Sequence, residues 1–388
     1  MNHSEFLESL SRALEGMREQ DKQDALSYFD ELISDKALDQ GCSEEEAIAD
    51  LGPIEEIAAS IRQTEPASQA PQAGKASEQG VSRGTDESGF GIKTITAKAA
   101  SVHNVVIQTA NVPIELEPGS DDEIILEYTQ DAYDIYDFSL QDGAMRLIRR
   151  PNEPLHMLGF FFQYRRSSRI KLMVPTEFAA SCELSTSNSA ITARDVSFWS
   201  WLKCKTSNSA IRLERLKAQG DLTAKTSNSS CTLENLLVSG KLQAGTSNSH
   251  LTAREVQAAE ISLTTSNASL SARHLQSQGP ITLESRNGRL EAEMIKTPEG
   301  LTMHTSNARI SVQAIASPNI QLITSNGSVE GNILGMASEY SVTSHASSGG
   351  RDNLSSHTFH GPKRLEVKTS NASIQLRFTQ DSNTIRNQ

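Results

Sequence analysis

Few residues of this chain have the type and spacing that chemistry requires. Glu214 and Glu234 fall at equivalent places in two successive copies of a repeat about 20 residues long. A stacked fold would bring their carboxylates one coil apart, the arrangement that acid–base work such as glycoside hydrolysis uses. Neighbouring copies put Arg194 and Arg254 at the same place. Opposite charges along one row form a solvated ladder of ion pairs, each worth little, and paired acid–base catalysis needs a pocket around the acids. The expectation is therefore no catalytic residues. His357 and His360 have ligand-like spacing but lie in a Ser-rich insertion, where a solvated loop is the simpler reading. Cys42, Cys182, Cys204 and Cys231 share no metal-ligand spacing and are sparse for a disulfide framework. No Gly-x-Ser-x-Gly elbow, phosphate-binding glycine loop or dinucleotide fingerprint occurs. No metal and no cofactor is expected.

The aromatic residues are distributed unevenly. Phe160, Phe161, Phe162, Tyr164, Phe198, Trp199 and Trp201 hold seven of the rings in a chain with 11 Phe, 6 Tyr and 2 Trp. Two readings stand. The Phe160–Tyr164 segment folds over the first coil as a cap, which the terminal units of repeat proteins need; or the rings form an exposed patch beside Arg165, Arg166 and Arg169 for a partner or an anionic membrane surface.

The repeat must position all of these residues. Thr-Ser-Asn, with one Ser-Arg-Asn variant, ends at Asn188, Asn208, Asn228, Asn248, Asn267, Asn287, Asn307, Asn326 and Asn371, at spacings of 19 or 20 up to Asn326. Thr343-Ser344-His345 keeps the register with histidine in the asparagine's place. A fixed period near 20 residues marks a stacked architecture, and the absence of leucine-rich-repeat spacing leaves a parallel β-solenoid. Apolar residues three and five after each asparagine, such as Ile211 and Leu213, give strands with one inward face. About ten corners at roughly 4.8 Å imply a rod about 45 to 50 Å long. Asparagine tolerates the left-handed backbone of a tight turn, and stacked amides can bond as a ladder. The row reads as a structural corner ladder; the competing reading is a ligand surface like the flat threonine arrays of ice-binding solenoids.

Residues 1–65 are expected to be an acidic helical module. Phe6, Leu7, Leu10, Leu14 and Met17 lie on one stripe, Ser43 and Glu46 have capping-box spacing, and Gly52-Pro53 stops one helix and starts another. The chain has 36 Lys and Arg against 48 Asp and Glu, and residues 1–65 hold 5 and 17 of these. The whole net charge of -12 thus lies in the module, which predicts a protein partner with a basic surface and no nucleic acid. Residues 66–91 have linker composition. Residues 92–175 read as an irregular β region capping the solenoid, 176–378 as the solenoid and 379–388 as a polar tail. The open edge of the last coil predicts a homo-oligomer through the C-terminal end, or the insertion from Ala346 to Pro362 as its cover. No secretory signal or membrane-spanning stretch is recognised, so the expected location is cytoplasmic, with peripheral membrane contact left open.

Arg169 to Pro175 with the recurring Thr-Ser-Asn units resembles the bacterial putative-adhesin family, a β-helical domain of unknown function, over about residues 92–378. Phe6-Leu7, Leu10, Tyr28, Asp30, Glu31 and the run from Gly41 to Ile48 leading to Leu51-Gly52-Pro53 are similar to the HAAS-type helical signalling module. The second resemblance implies a bacterial protein of a kind that is often membrane-bound, and the favoured reading of the whole chain is a non-catalytic scaffold carrying a protein-interaction module. The alternative is a carbohydrate-binding or carbohydrate-active β-helix.

Overall fold

The computed structural model describes residues 91–130, 135–150, 168–354 and 360–380, with residues 3–17, 43–49 and individual positions between 22 and 58. Residues 66–90 of the proposed linker, most of the tail, Cys42, His357 and Phe160–Tyr164 lie outside the described residues. The helical N-terminal part and the β part belong to separate compact units.

In the first unit, α1 (His3–Ala13) buries Phe6 and Leu10, and Leu14 follows one turn later. Phe29, Ile33, Ile48 and Ile57 join them in one small apolar cluster. A further helix, α2 (Glu44–Ala49), starts with the capping box: the Ser43 amide donates to the Glu46 carboxylate at 2.9 Å, and the Glu46 amide to Ser43 Oγ at 3.3 Å. These two bonds satisfy amides that have no helical partner, and the first holds the Glu46 carboxyl below its ordinary pKa.

The second unit is a β-solenoid of coils about 20 residues long. A typical coil has strands Ile211–Glu214, Lys217–Ala218 and Leu222–Lys225. Each pairs in parallel, in register, with its equivalents one coil before and one after. Register is fixed because a slip of one residue would turn the buried set outward. Like residues therefore stack in columns, such as Ile191, Ile211, Cys231, Leu251, Leu270, Leu290 and Ile310, all fully buried. Burying one such side chain stabilises the fold by about 1.5 to 3 kcal/mol, before the entropy of ordering the chain is counted.

The ladder reaches further back than the Thr-Ser-Asn motif indicates. Asn104–Gln108 and Ile114–Pro118 pair in parallel with Ser181–Ser185 and Ile191–Arg194, so residues 104–118 form a coil of their own. Ala144–Arg149 and Ile170–Val174 still stack in parallel on that coil, and only beyond them does the pattern turn antiparallel. Glu123–Gln130 pairs with Ile170–Val174 and Gly91–Lys98, and Tyr136–Gln141 with Ala144–Arg149.

At the other end the register expected for Thr343-Ser344-His345 does not hold. These residues lie inside the strand Tyr340–Ala346, paired in parallel with Lys363–Thr369. A residue in mid-strand cannot also turn a corner. Lys363–Thr369 stacks directly on Asn319–Ile323, and Ile374–Thr379 on Val329–Leu334, so residues between these coils form an excursion. Part of that excursion covers the last coil. Asn353 Nδ2 donates to the Leu376 carbonyl at 2.7 Å, the Leu376 amide donates to Asn353 Oδ1 at 3.0 Å, and Leu354 is buried in the core.

Candidate functional site

Each residue of the corner motif has its own task. The threonine points inward: Thr226 Oγ1 donates to the Ser209 carbonyl of the preceding coil at 2.9 Å, and Thr246 to that of Ser229 at 2.9 Å. Both threonines are buried, so the bond removes the cost of an unpaired hydroxyl. The next two amides share one acceptor: Ser227 and Asn228 both donate to the Ser207 carbonyl, at 3.1 and 2.9 Å. The asparagine points outward, and its Nδ2 donates to Oδ1 of the preceding asparagine.

The amides form one line from Asn371 through Asn326, Asn307, Asn287, Asn267, Asn248, Asn228, Asn208 and Asn188, with bonds of 2.6 to 2.8 Å. Asn188 passes it to Asn111 at 2.7 Å. Asn111 ends Thr109-Ala110-Asn111, a weakened form of the motif that sequence reasoning missed. Its signal is the threonine, whose buried position matches Thr186 and Thr206.

The expected left-handed backbone is not at these asparagines. It lies seven residues later, at Asp195, Arg215, Asn235, Glu255, His274, Met294 and Ala314, with φ from 51° to 60°. The motif asparagines turn the chain through hydrogen-bonded bends, whereas the kink between two strands needs the positive φ. None of the seven is glycine. An L-residue in this conformation costs roughly 1 to 2 kcal/mol, so the column stores strain along successive coils. The residue types share no turn chemistry, which hid the column from the sequence.

Beside this column runs an open groove of about 1200 Å³, lined by residues including Arg215, Lys217, Leu237, Glu255, His274 and Met294. Leu237 and Met294 are 47% and 50% exposed there, two of the few large apolar side chains that face water among the described residues. Glu214 and Glu234 are in register one coil apart, within the row Arg194, Glu214, Glu234, Arg254, Arg273 and Glu293. Arg212 and Arg215 each approach Glu214 at 3.6 Å, and Arg273 pairs with Glu293 at 3.5 Å. At the head of the row Glu117 takes Lys171 at 2.5 Å and Arg194 at 3.0 Å. The Lys171 bond is the main reason its carboxyl lies below the ordinary range.

The aromatic residues divide. Phe198 is buried edge-on against Phe178, ring centres 6.1 Å apart, while Trp199 and Trp201 are 63% and 37% exposed. Cys182, Cys204 and Cys231 are buried in the core without disulfides. Burial raises all three thiol pKa values, that of Cys231 to about 12. Exposed His360 bridges to Ser341. Among the described residues no group of three His, Cys, Asp or Glu could hold a metal ion, and no helix is long and apolar enough to cross a membrane.

Residues 102–386 match the family model of Toastrack DUF4097, and residues 5–60 that of HAAS. No curated protein matches the chain. Among solved structures, a putative adhesin from Bacteroides fragilis aligns at 9% identity, covering 74% of this chain and 97% of its own, with a TM-score of 0.34. A putative cell adhesion protein from Clostridium sporogenes aligns at 7% identity over 75% and 100%, with a TM-score of 0.18.

Proposed function

The chain belongs to the Toastrack DUF4097 family, and from that premise we propose that it is a non-catalytic β-solenoid scaffold whose HAAS-like part is a protein-interaction and signalling module. The observation that carries this reading is the fate of the acids along the solenoid. Glu117, Asp195, Glu183 and Glu293 each pair with a Lys or Arg in a neighbouring coil. Glu214 has two arginines near it rather than an enclosed site. Acids held in cross-coil pairs stiffen a surface rather than serve an acid–base reaction.

The module takes a partner with a basic surface, in the cytoplasm, because its net -12 steers only complementary charge. A second copy would add at the C-terminal end, along Tyr340–Ala346 beyond the single bridge from His360 to Ser341. The test uses the full chain against three probes: a basic protein, duplex DNA and anionic vesicles. Salt-sensitive binding to the basic protein alone supports the reading. Binding to DNA or vesicles at physiological salt overturns it. Light scattering at tens of micromolar tests the second copy, and a strict monomer rejects it.

A second reading, a carbohydrate-binding β-helix, has one observation in its favour: the groove that presents Leu237 and Met294 among hydrogen-bonding side chains. Calorimetric titration with neutral oligosaccharides tests it. Heat that disappears in a Leu237→Lys, Met294→Lys double variant would establish it, and no heat in the parent removes it.

A further inference from the structure

Only two asparagines of the ladder precede a glycine, Asn287 before Gly288 and Asn326 before Gly327. Such a pair is chemically weak. The glycine nitrogen, having given its proton to base, can attack the asparagine Cγ without hindrance from a Cβ. The new N–Cγ bond closes a succinimide as the Cγ–Nδ2 bond breaks and ammonia leaves. Water then opens the ring at either carbonyl, giving aspartate or isoaspartate.

Packing fixes both glycines in place. A Cβ on Gly288 would lie 1.6 Å from the Ala268 carbonyl oxygen, and one on Gly327 1.8 Å from that of Ala308. The fold therefore requires a residue that makes its own surface ladder labile. It also opposes the reaction. Both glycines are buried, and the Gly288 amide donates to Ser285 Oγ at 2.8 Å, the Gly327 amide to Thr324 Oγ1 at 3.2 Å. The attacking nitrogen is thus turned inward, onto the hydroxyl three residues earlier. On the other side the ladder pins each leaving amide, Asn287 Nδ2 to Asn267 at 2.8 Å and Asn326 Nδ2 to Asn307 at 2.6 Å.

We propose that Asn287 and Asn326 are latent deamidation sites, with Ser285 and Thr324 the groups that hold them closed. Opening of a corner exposes the nitrogen, and the product marks the event permanently. An aspartate at 287 would set its carboxylate against Asn267 Oδ1, two acceptors facing, and cut the ladder there.

The experiment incubates the full chain at mildly alkaline pH and maps its peptides by mass over time, with a denatured sample alongside. Asn287 and Asn326 should lead in the denatured chain and stay largely intact in the folded one. Ser285→Ala should speed conversion of Asn287 by about fivefold or more, the factor that one lost hydrogen bond represents, and leave Asn326 at the parental rate. Thr324→Ala should do the reverse. Ser285→Thr, which keeps the hydroxyl in the form that most corners carry, should leave Asn287 at the parental rate. Equal acceleration at both sites would mean general loosening and overturn the local guard. No acceleration in either alanine variant, or folded and denatured chains converting alike, would overturn it as well.

Discussion

Arg215 closes a two-point bond on Asp195 in the preceding coil, Nε to Oδ1 at 2.6 Å and a terminal nitrogen to Oδ2 at 2.9 Å, and both residues have left-handed backbone. The column of positive φ thus aligns side chains from successive coils. Its first two members use that alignment for an ion pair, which holds the Asp195 carboxyl below its ordinary pKa. Both groups are about half exposed, so the pair is a modest return on the strain.

Ala314 offers the cleanest measure of that strain. It has φ 54° and only a methyl side chain, which cannot form a polar contact, while its amide donates to Asn332 Oδ1 at 2.6 Å, a bond that glycine would keep. Glycine there removes the steric cost but adds chain entropy to the unfolded state. Ala314→Gly should stabilise the fold by a net of about 0.5 to 1 kcal/mol, read as a higher urea midpoint at unchanged slope. A lower midpoint would mean the column is not strained.

The ladder predicts an effect that depends on position. The Asn228 side chain donates to Asn208 at 2.6 Å and accepts from Asn248 at 2.7 Å, whereas that of Asn371 has, among the described residues, only the bond to Asn326, at 2.6 Å. These groups are exposed, so water recovers part of each loss. Asn228→Leu should cost about 1 to 2 kcal/mol and Asn371→Leu about half as much, by chemical denaturation. Equal costs would place the asparagine's value elsewhere than in its cross-coil bonds.

How legible the fold was depended on how periodic each signal is. The corner asparagines and the apolar residues three and five beyond them recur every 19 or 20 residues, and identical steric demands in each coil keep them so. That regularity made the solenoid readable. The left-handed column has an equally fixed position but accepts Asp, Arg, Asn, Glu, His, Met or Ala, because only backbone geometry is imposed there. Thr343-Ser344-His345 misled for the opposite reason: it has the motif's composition but pairs along its length with Glu366, Val367 and Lys368. Asn111 escaped notice because alanine replaces its serine, a substitution the corner tolerates since only that residue's backbone bonds there: both Ser187 and Asn188 donate to the Ala110 carbonyl, at 3.1 and 2.7 Å.

The buried cysteines report on opening of the early coils. Cys182, Cys204 and Cys231 are fully buried, and desolvation, the main cause in each case, raises their pKa values. The thiolate is the reactive form, so burial and a raised pKa act together. In a Cys42→Ser background, a thiol reagent at neutral pH should leave the folded chain unlabelled and label all three sites in denaturant. Rapid labelling of any of them without denaturant would show that the coils open far more readily than their packing implies.

Acid should loosen the C-terminal coil through Glu366. Its carboxylate takes Lys368 at 2.5 Å and both Gln321 and Arg364 at 3.1 Å, with its side chain 10% exposed. The Lys368 bond is the chief cause of its lowered pKa, from an ordinary value of 4.5. A carboxyl whose folded pKa is depressed contributes stability that is fully present above its unfolded pKa and lost as pH falls through the folded value. Hydrogen exchange in Lys363–Thr369 should therefore quicken as pH drops below about 4.5, beyond the change in intrinsic exchange rates. Glu366→Gln should remove most of this dependence and cost about 1 to 2 kcal/mol at neutral pH, because Lys368 and Arg364 lose a shared anion. If the variant keeps the parental acid profile, the transition belongs to another carboxylate, Glu339 being the first to examine, since it bonds Lys363 of the same strand and is held below the ordinary range by that bond.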